Sequence, residues 1–350
     1  MEENKNKFNA FKTASIRDWE VAARLELNGS NSKELVYQGT GWSIQPFYDQ
    51  NSNLSPAPLL PISENKFLGP RTWYNCPYLK VTDAIKANEK ALEYLRDGAD
   101  GIFFELNAEL DFEILLKDIE WQYCSLNFLV KKNQDAIALA LHDFIAVRKT
   151  SKSPFHGAFF GNIAPPCLKE SYFSFAGFQM IPSASPVDEI VAGFNLMLAS
   201  LKGDFHDTAG PVAFSVAVGT DFFLEIAKLR AIRQLWNRLL VENEIESAPL
   251  FIHGHSMPWS NTKYQPHGNM LKSTTAAMAA ILGGCDAITI DPEDNDHSMM
   301  IRVARNVSNI LREESHFSKV ADPLAGSYFI EDLTQQLTSA AWESISKSTA

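Results

Sequence analysis

Asp97-Gly98-Ala99-Asp100-Gly101-Ile102-Phe103-Phe104 and, far downstream, Gly283-Gly284-Cys285-Asp286-Ala287-Ile288-Thr289-Ile290 are two versions of one junction. In each, a helical pattern ends on glycine, which takes the left-handed conformation at little cost, and the chain turns at once into an apolar run. A run without polar alternation is a strand buried on both faces, as in a parallel sheet covered by helices. Working outward, similar runs lie at Trp73–Leu79, Gln122–Val130, His156–Gly161, Tyr172–Gln179, Val212–Val218 and Leu250–His255, with helical patterns between most of them. With Gly101–Leu106 and Asp286–Ile290 they make a set that closes a (β/α)₈ TIM barrel from Arg71 onward. The connection through Ile163-Ala164-Pro165-Pro166 is short for a helix. An open doubly wound sheet shares the same patterning, but no GxGxxG or GxxxxGK[ST] loop follows a strand, which counts against its nucleotide-binding form.

Residues 1–70 are read as a separate N-terminal helix and extended arm, and residues 71–350 as the barrel. The helix is expected at about Asp18 to Asn28, and Gly39 to Gly69 as irregular chain rich in Gly, Ser, Asn and Pro. A formal net charge of −11 excludes a nucleic-acid surface, which needs a clustered positive field. It also disfavours a polyanionic ligand unless Arg148, Lys149 and Lys152 gather locally, and such a cluster is ordinarily a solvated helix end. Cys76, Cys124, Cys167 and Cys285 form no CxxC pair and sit in apolar context, which predicts reduced packing cysteines and a cytoplasmic chain. No segment approaches the roughly 20 apolar residues of a membrane helix.

Two segments are more specific. Asp221-Phe-Phe-Leu-Glu-Ile-Ala-Lys-Leu-Arg-Ala-Ile-Arg-Gln-Leu-Trp236 is, on physics alone, a helix with Phe222, Ile226, Leu229 and Ile232 toward a core and a surface ion pair between Glu225 and Lys228. The same residues resemble the FFxEIAKLRAxRxLW helix of the cobalamin-dependent acyl-CoA mutases of the methylmalonyl-CoA mutase family. Ala304-Arg305-Asn306, Glu313-Glu314-Ser315, Asp322-Pro323, Gly326-Ser327-Tyr328 and Glu331-Asp332-Leu333-Thr334 follow in that family's order. The resemblance is strong from about Val212 to Trp342 and weak from about Gly39 to Glu105. It implies a barrel that carries acyl-CoA along its axis and pairs with a second barrel about a two-fold axis.

Within the family, Gly284-Cys285-Asp286-Ala287-Ile288-Thr289-Ile290-Asp291-Pro292 resembles the small (beta) subunit's GGADAVTVLPFD, where active chains have GGTQSLHTN. The resemblance therefore implies a small, non-catalytic subunit that stabilises a large catalytic partner in a heterodimer. Adenosylcobalamin would be held by the partner, with no cofactor and no metal on this chain. Acyl-CoA and a second copy of the chain are further candidate partners. The family's corrinoid domain announces itself by DxHxxG. The near-match Asp204-Phe-His-Asp-Thr-Ala-Gly210 is one residue too long and precedes a barrel strand, so no cobalamin-binding domain is expected.

Counting from Ala277-Met278 puts His253 on the active family's substrate-contacting histidine, with Asn269 and Lys272 on its NxxR positions. Counting from Arg71-Thr72-Trp73 puts Tyr78 on its radical-shielding tyrosine. His253 and Tyr78 are thus the candidate catalytic residues, read as inherited rather than working. Cys76 stands where that motif has arginine, and no arginine occurs between Arg148 and Arg230 to hold a substrate carboxylate. An active barrel served by a separate cobalamin-binding chain is the alternative. A metallohydrolase built on His253-Gly254-His255 with Asp291, Glu293, Asp294 and Asp296 is a third reading, weakened because barrel hydrolases resembling it carry HxH on the first strand.

Overall fold

In the computed structural model, residues 14–49, 60, 69–147, 155–161, 173–200, 211–257 and 268–349 are described. Arg148, Lys149, Lys152, Cys167, the Ile163–Pro166 connection and the Asp204–Gly210 near-match lie outside them.

The apolar runs form strands where their composition demands burial. A short hairpin, β1 (Tyr37–Gly39) and β2 (Trp42–Ile44), precedes β3 (Tyr74–Asn75), β4 (Tyr78–Val81), β5 (Gly101–Leu106), β6 (Ser125–Val130), β7 (Phe155–Gly161), β8 (Phe173–Gln179), β9 (Val212–Val218), β10 (Leu250–Ser256) and β11 (Ala287–Thr289). Every residue of β5 and β6 is buried. From β4 to β11 each strand pairs in parallel with the next, and β11 pairs with β3.

β3 and β4 are two halves of one strand, so the sheet closes on itself as a TIM barrel. The expected strand Trp73–Leu79 is broken at Cys76-Pro77 because Pro77 has no N–H to give to a ladder. Before the break, Tyr74 and Cys76 donate to Asp286 and Ile288 carbonyls at 2.8 and 2.9 Å; after it, the Pro77 carbonyl accepts from Phe103 at 3.0 Å. The first half thereby pairs with β11 and, through the Asp100 N–H donating to the Asn75 carbonyl at 2.9 Å, also meets the start of β5, whereas the second half pairs with β5. Both junction glycines are left-handed, Gly98 and Gly284 each at φ 95°.

Helices α1 (Ile16–Glu26), α2 (Ala84–Arg96), α3 (Phe112–Leu115), α4 (Gln134–Val147), α5 (Pro186–Ser200), α6 (Phe222–Glu242), α7 (Gly268–Leu282), α8 (Ser298–Glu313) and α9 (Tyr328–Thr349) follow in chain order. Outward-facing Phe104, Phe128 and Leu106 pack with Ala91 of α2 and Ile137 and Leu141 of α4, while Phe178, Phe214 and Ile252 pack with α5, α6, α7 and α9. None of these helices is long and apolar enough to cross a membrane among the described residues.

Two expectations change. The arm is not irregular throughout: β2 lies inside it, Trp42 is buried, and Ser43 N–H donates to Gln336 Oε1 of α9 at 2.7 Å while Gln336 Nε2 donates to the Ser43 carbonyl at 3.1 Å. A side-chain amide thus satisfies the strand's open edge. α1 itself buries nothing and is held by a Ser15–Asp18 capping box.

The Glu225–Lys228 pair is not on the surface. Lys228 is buried, its Nζ 2.8 Å from Glu225 and 3.1 Å from Glu189 of α5, and it donates to the Ala217 carbonyl at 2.9 Å. α6 is sandwiched between the sheet and α5 and α9, so the turn that carries Glu225 and Lys228 has little solvent to meet, and of its charged residues only Arg238 and Glu242, at its far end, are exposed. Two residues on, and so on another side of the helix, Arg230 lies 2.7 Å from Asp322 and 3.0 Å from Glu331, with all three side chains buried. Removing one member of such a group strands the opposite charges in a dry site. Arg230→Ala is expected to lower the unfolding free energy by about 3–5 kcal/mol in urea titration; a loss below about 1 kcal/mol, the range of an exposed pair, would contradict this account.

Candidate functional site at the barrel mouth

Alternate residues of each strand face the axis. At mid-barrel these are Cys76, Phe103, Asn127, Phe160, Gly177, Ser215, His253 and Thr289. Phe103 stacks on His253 with ring centroids 4.3 Å apart, Phe160 approaches the same imidazole at 5.9 Å, and all three are fully buried. Phe160 lies so close over Gly177 that a Cβ there would stand 2.5 Å from its ring.

His253 spends both nitrogens inside this layer. Thr289 gives its single hydroxyl hydrogen to the Cys76 carbonyl, so it accepts from His253 Nε2 at 2.8 Å. The proton therefore sits on Nε2, and Nδ1 accepts from Ser215 Oγ at 2.9 Å. Burial, reinforced by His255, drives the imidazole's pKa well below its ordinary 6.5. It is a neutral ring tying β9, β10 and β11 to the first strand. A cobalt ion or a catalytic divalent metal needs a free imidazole nitrogen, and His253 offers none. No group of three His, Cys, Asp or Glu able to hold a metal occurs among the described residues.

Above this layer, at the carboxyl ends of the strands, the side chains are polar. A cavity of about 380 Å³ is lined there by Tyr78, Glu105, Lys131, His255, Asp291 and their neighbours. Tyr78 Oη donates to Glu105 Oε2 at 2.6 Å, Lys131 Nζ to the same oxygen at 2.7 Å, and Asn107 Nδ2 to Oε1 at 2.9 Å. Burial pulls the Glu105 pKa upward, but these three donors outweigh it and bring the carboxyl to about 2. Burial and the bond to Glu105 push the Tyr78 phenol above its ordinary range. Across the mouth, His255 Nε2 lies 3.0 Å from Asp291 Oδ1.

The two candidate residues are thus separated: Tyr78 lines the mouth, and His253 is one layer deeper and sealed. Asn269 lines the mouth; Lys272 lies in the following turn of α7. Sequence reading missed Glu105, Asn107 and Lys131. Their signal was present, since Glu105 interrupts the apolar run Gly101–Leu106 and Lys131 ends Ser125–Val130, and a charge at the carboxyl end of a barrel strand points to the mouth. A second cavity of about 250 Å³, lined by Thr72, Tyr74, Ser125, His156, Phe175 and Phe251 among others, lies at the opposite end of the axis.

Fold and site together define a TIM barrel with a filled axis and a polar mouth. Residues 196–349 match the methylmalonyl-CoA mutase family model. The methylmalonyl-CoA mutase small subunit of Porphyromonas gingivalis is 28% identical over 97% of this chain and 64% of its own length. That of Streptomyces virginiae is 42% identical over 37% of this chain and 22% of its own, and the methylmalonyl-CoA mutase of Rhizobium meliloti 38% identical over 41% and 21%. The chain is thus similar to proteins of the methylmalonyl-CoA mutase family and spans less than two thirds of the length of these relatives. Among solved structures, Plasmodium falciparum HPPK-DHPS is similar at a TM-score of 0.40 and 14% identity over 90% of this chain and 57% of that one.

The buried imidazole makes stability depend on pH with a definite sign. Below the ordinary histidine value of 6.5 the unfolded chain takes up a proton that folded His253 refuses, so stability falls as pH falls. Glu105, lowered from 4.5 to about 2, adds its own loss only as pH falls from about 4.5 toward 2. Between pH 6.5 and 5 the unfolding free energy should therefore drop by up to about 1.4 kcal/mol per pH unit more in the unaltered protein than in His253→Gln. Equal slopes in the two proteins, measured by urea titration, would refute the neutral buried imidazole.

Proposed function

We propose that this chain is the small, non-catalytic subunit of an adenosylcobalamin-dependent methylmalonyl-CoA mutase, a cytoplasmic isomerase that interconverts methylmalonyl-CoA and succinyl-CoA. Its work is architectural: a barrel at residues 71–350 and an arm at residues 1–70 bury the surface of a large catalytic subunit in a heterodimer. Adenosylcobalamin, bound by that partner, supplies the radical chemistry.

The filled axis carries this reading. An acyl-CoA lying along the barrel would have to displace Phe103, Phe160 and Phe251, each buried. At about 1.5–3 kcal/mol per ring the displacement costs roughly 5–9 kcal/mol, as much as the whole binding free energy of a micromolar ligand, about 8 kcal/mol. Cys76, standing where the resemblance has an arginine, is fully buried, and burial pushes its thiol pKa up, so it is an uncharged packing residue. The mouth's one described lysine, Lys131, is already engaged by Glu105.

One observation favours the alternative of an active barrel working with a separate cobalamin-binding chain: Tyr78 lines the mouth rather than the core. Co-purification separates the two. Tagged chain should bring down a large corrinoid-bearing subunit, and the complex should convert methylmalonyl-CoA at an unchanged rate when this chain carries Tyr78→Phe, while the chain alone with adenosylcobalamin turns over nothing. Collapse of turnover in an intact Tyr78→Phe complex, or a small corrinoid chain as the only partner, would make this barrel catalytic. Recovery of a homodimer alone would remove the heterodimer.

A further inference from the structure

Three donors from three separate positions converge on one carboxylate at the barrel mouth. Tyr78 belongs to β4, Asn107 follows β5 and Lys131 follows β6, and their hydroxyl, amide and ammonium meet at Glu105 within 2.6–2.9 Å. A cation, a phenol and a primary amide aimed at both oxygens of one carboxylate, beside a cavity of about 380 Å³, are the components of a carboxylate-recognition site. The carboxylate in it is the protein's own. We propose that the mouth is a binding site for short-chain monocarboxylates held shut in cis by Glu105, which acts as an internal ligand.

The arrangement differs from an ordinary surface ion pair. Glu105 is only 5% exposed, whereas the Lys131 side chain is 51% exposed and reaches in from the rim. A lone exposed pair gains little and needs no phenol or amide; here the donor set overcomes the burial penalty on the anion. The neighbouring charges limit the site to one occupant. Asp291 and Glu293 line the same cavity, with Asp291 against His255 at 3.0 Å, so a second anion beside charged Glu105 is repelled. The inference rests on the donors around Glu105 and stands whether or not the chain is a mutase subunit.

Calorimetry with acetate and propionate tests it. The unaltered protein should bind neither. Glu105→Ala, with unchanged near-ultraviolet circular dichroism, should bind acetate in a 1:1 complex, and adding Lys131→Ala should weaken that complex by about tenfold or more, the worth of one charge-assisted hydrogen bond. A folded Glu105→Ala that binds no acetate, or an unaltered protein that binds it equally well, overturns the proposal. Should Glu105→Ala not fold, Glu105→Gln keeps the shape and removes the charge. Tyr78, isolated as the difference from a Tyr78→Phe background, should then ionise at lower pH than in the unaltered protein, and an unchanged titration would show that Glu105 is not the group the donors hold.

Discussion

The interior of an eight-stranded parallel barrel has one width, and the side chains pointing into it must fill that width without strain. In this chain the requirement is met by large rings set against small neighbours. Phe103 and Phe160 enter from strands flanking Asn127, Phe160 rests over Gly177, and His253 fills the facing space between Ser215 and Thr289. A histidine in that position must satisfy two ring nitrogens, and hydroxyls on both neighbouring strands do so. The axis is closed because its middle layer is complete, and the polar mouth is confined to the layer above.

The same packing explains where charge is allowed. The chain's acidic balance gives no indication that Lys228, Arg230, Arg305 and Arg312 are all buried, each set against a carboxylate: Glu189 and Glu225, Asp322 and Glu331, Asp97, and Asp100. Such pairs add little net stability over a well-packed apolar substitute, but they fix register, since a cation in the wrong place is left unpaired. Arg312 illustrates this by donating both to Asp100 and to the Trp73 carbonyl, which sets α8 against the start of the first strand. In this way the helices of the stretch that matches the family model also align the strands.

Much of this was legible in the sequence, for physical reasons. Runs such as Gly101–Leu106 and Val212–Val218 contain no alternation, so they could only be strands covered on both faces, and their limits agree with the structure. Gly98 and Gly284 marked their own left-handed turns. What sequence could not supply was partnership across the fold. Pro77 announced a missing donor, but not that the first strand's pairing with β11 would end there. Glu225 and Lys228 stood at ion-pair spacing, but their burial depends on α5, which lies elsewhere in the chain. His253 was singled out by counting against relatives, though its place at the middle of β10 rather than at its end already pointed to the core. Glu105 and Lys131, isolated charges at the ends of apolar runs, were readable and were overlooked because no motif contained them.

The division of the first strand at Pro77 carries a kinetic consequence. β9 and β10 pair along their full lengths, whereas the seam between β3 and β11 rests on Tyr74 and Asn75 against Ala287 and Ile288. Its two sides are also the most distant barrel strands in the chain, so loop-closure entropy is greatest at a seam whose ladder is short, as short in registered pairs as that between β6 and β7. During synthesis the growing sheet stays an open crescent, with β3 unpaired on that side, until the residues around Ala287 emerge. In the finished molecule the seam is the natural line along which the cylinder would first part.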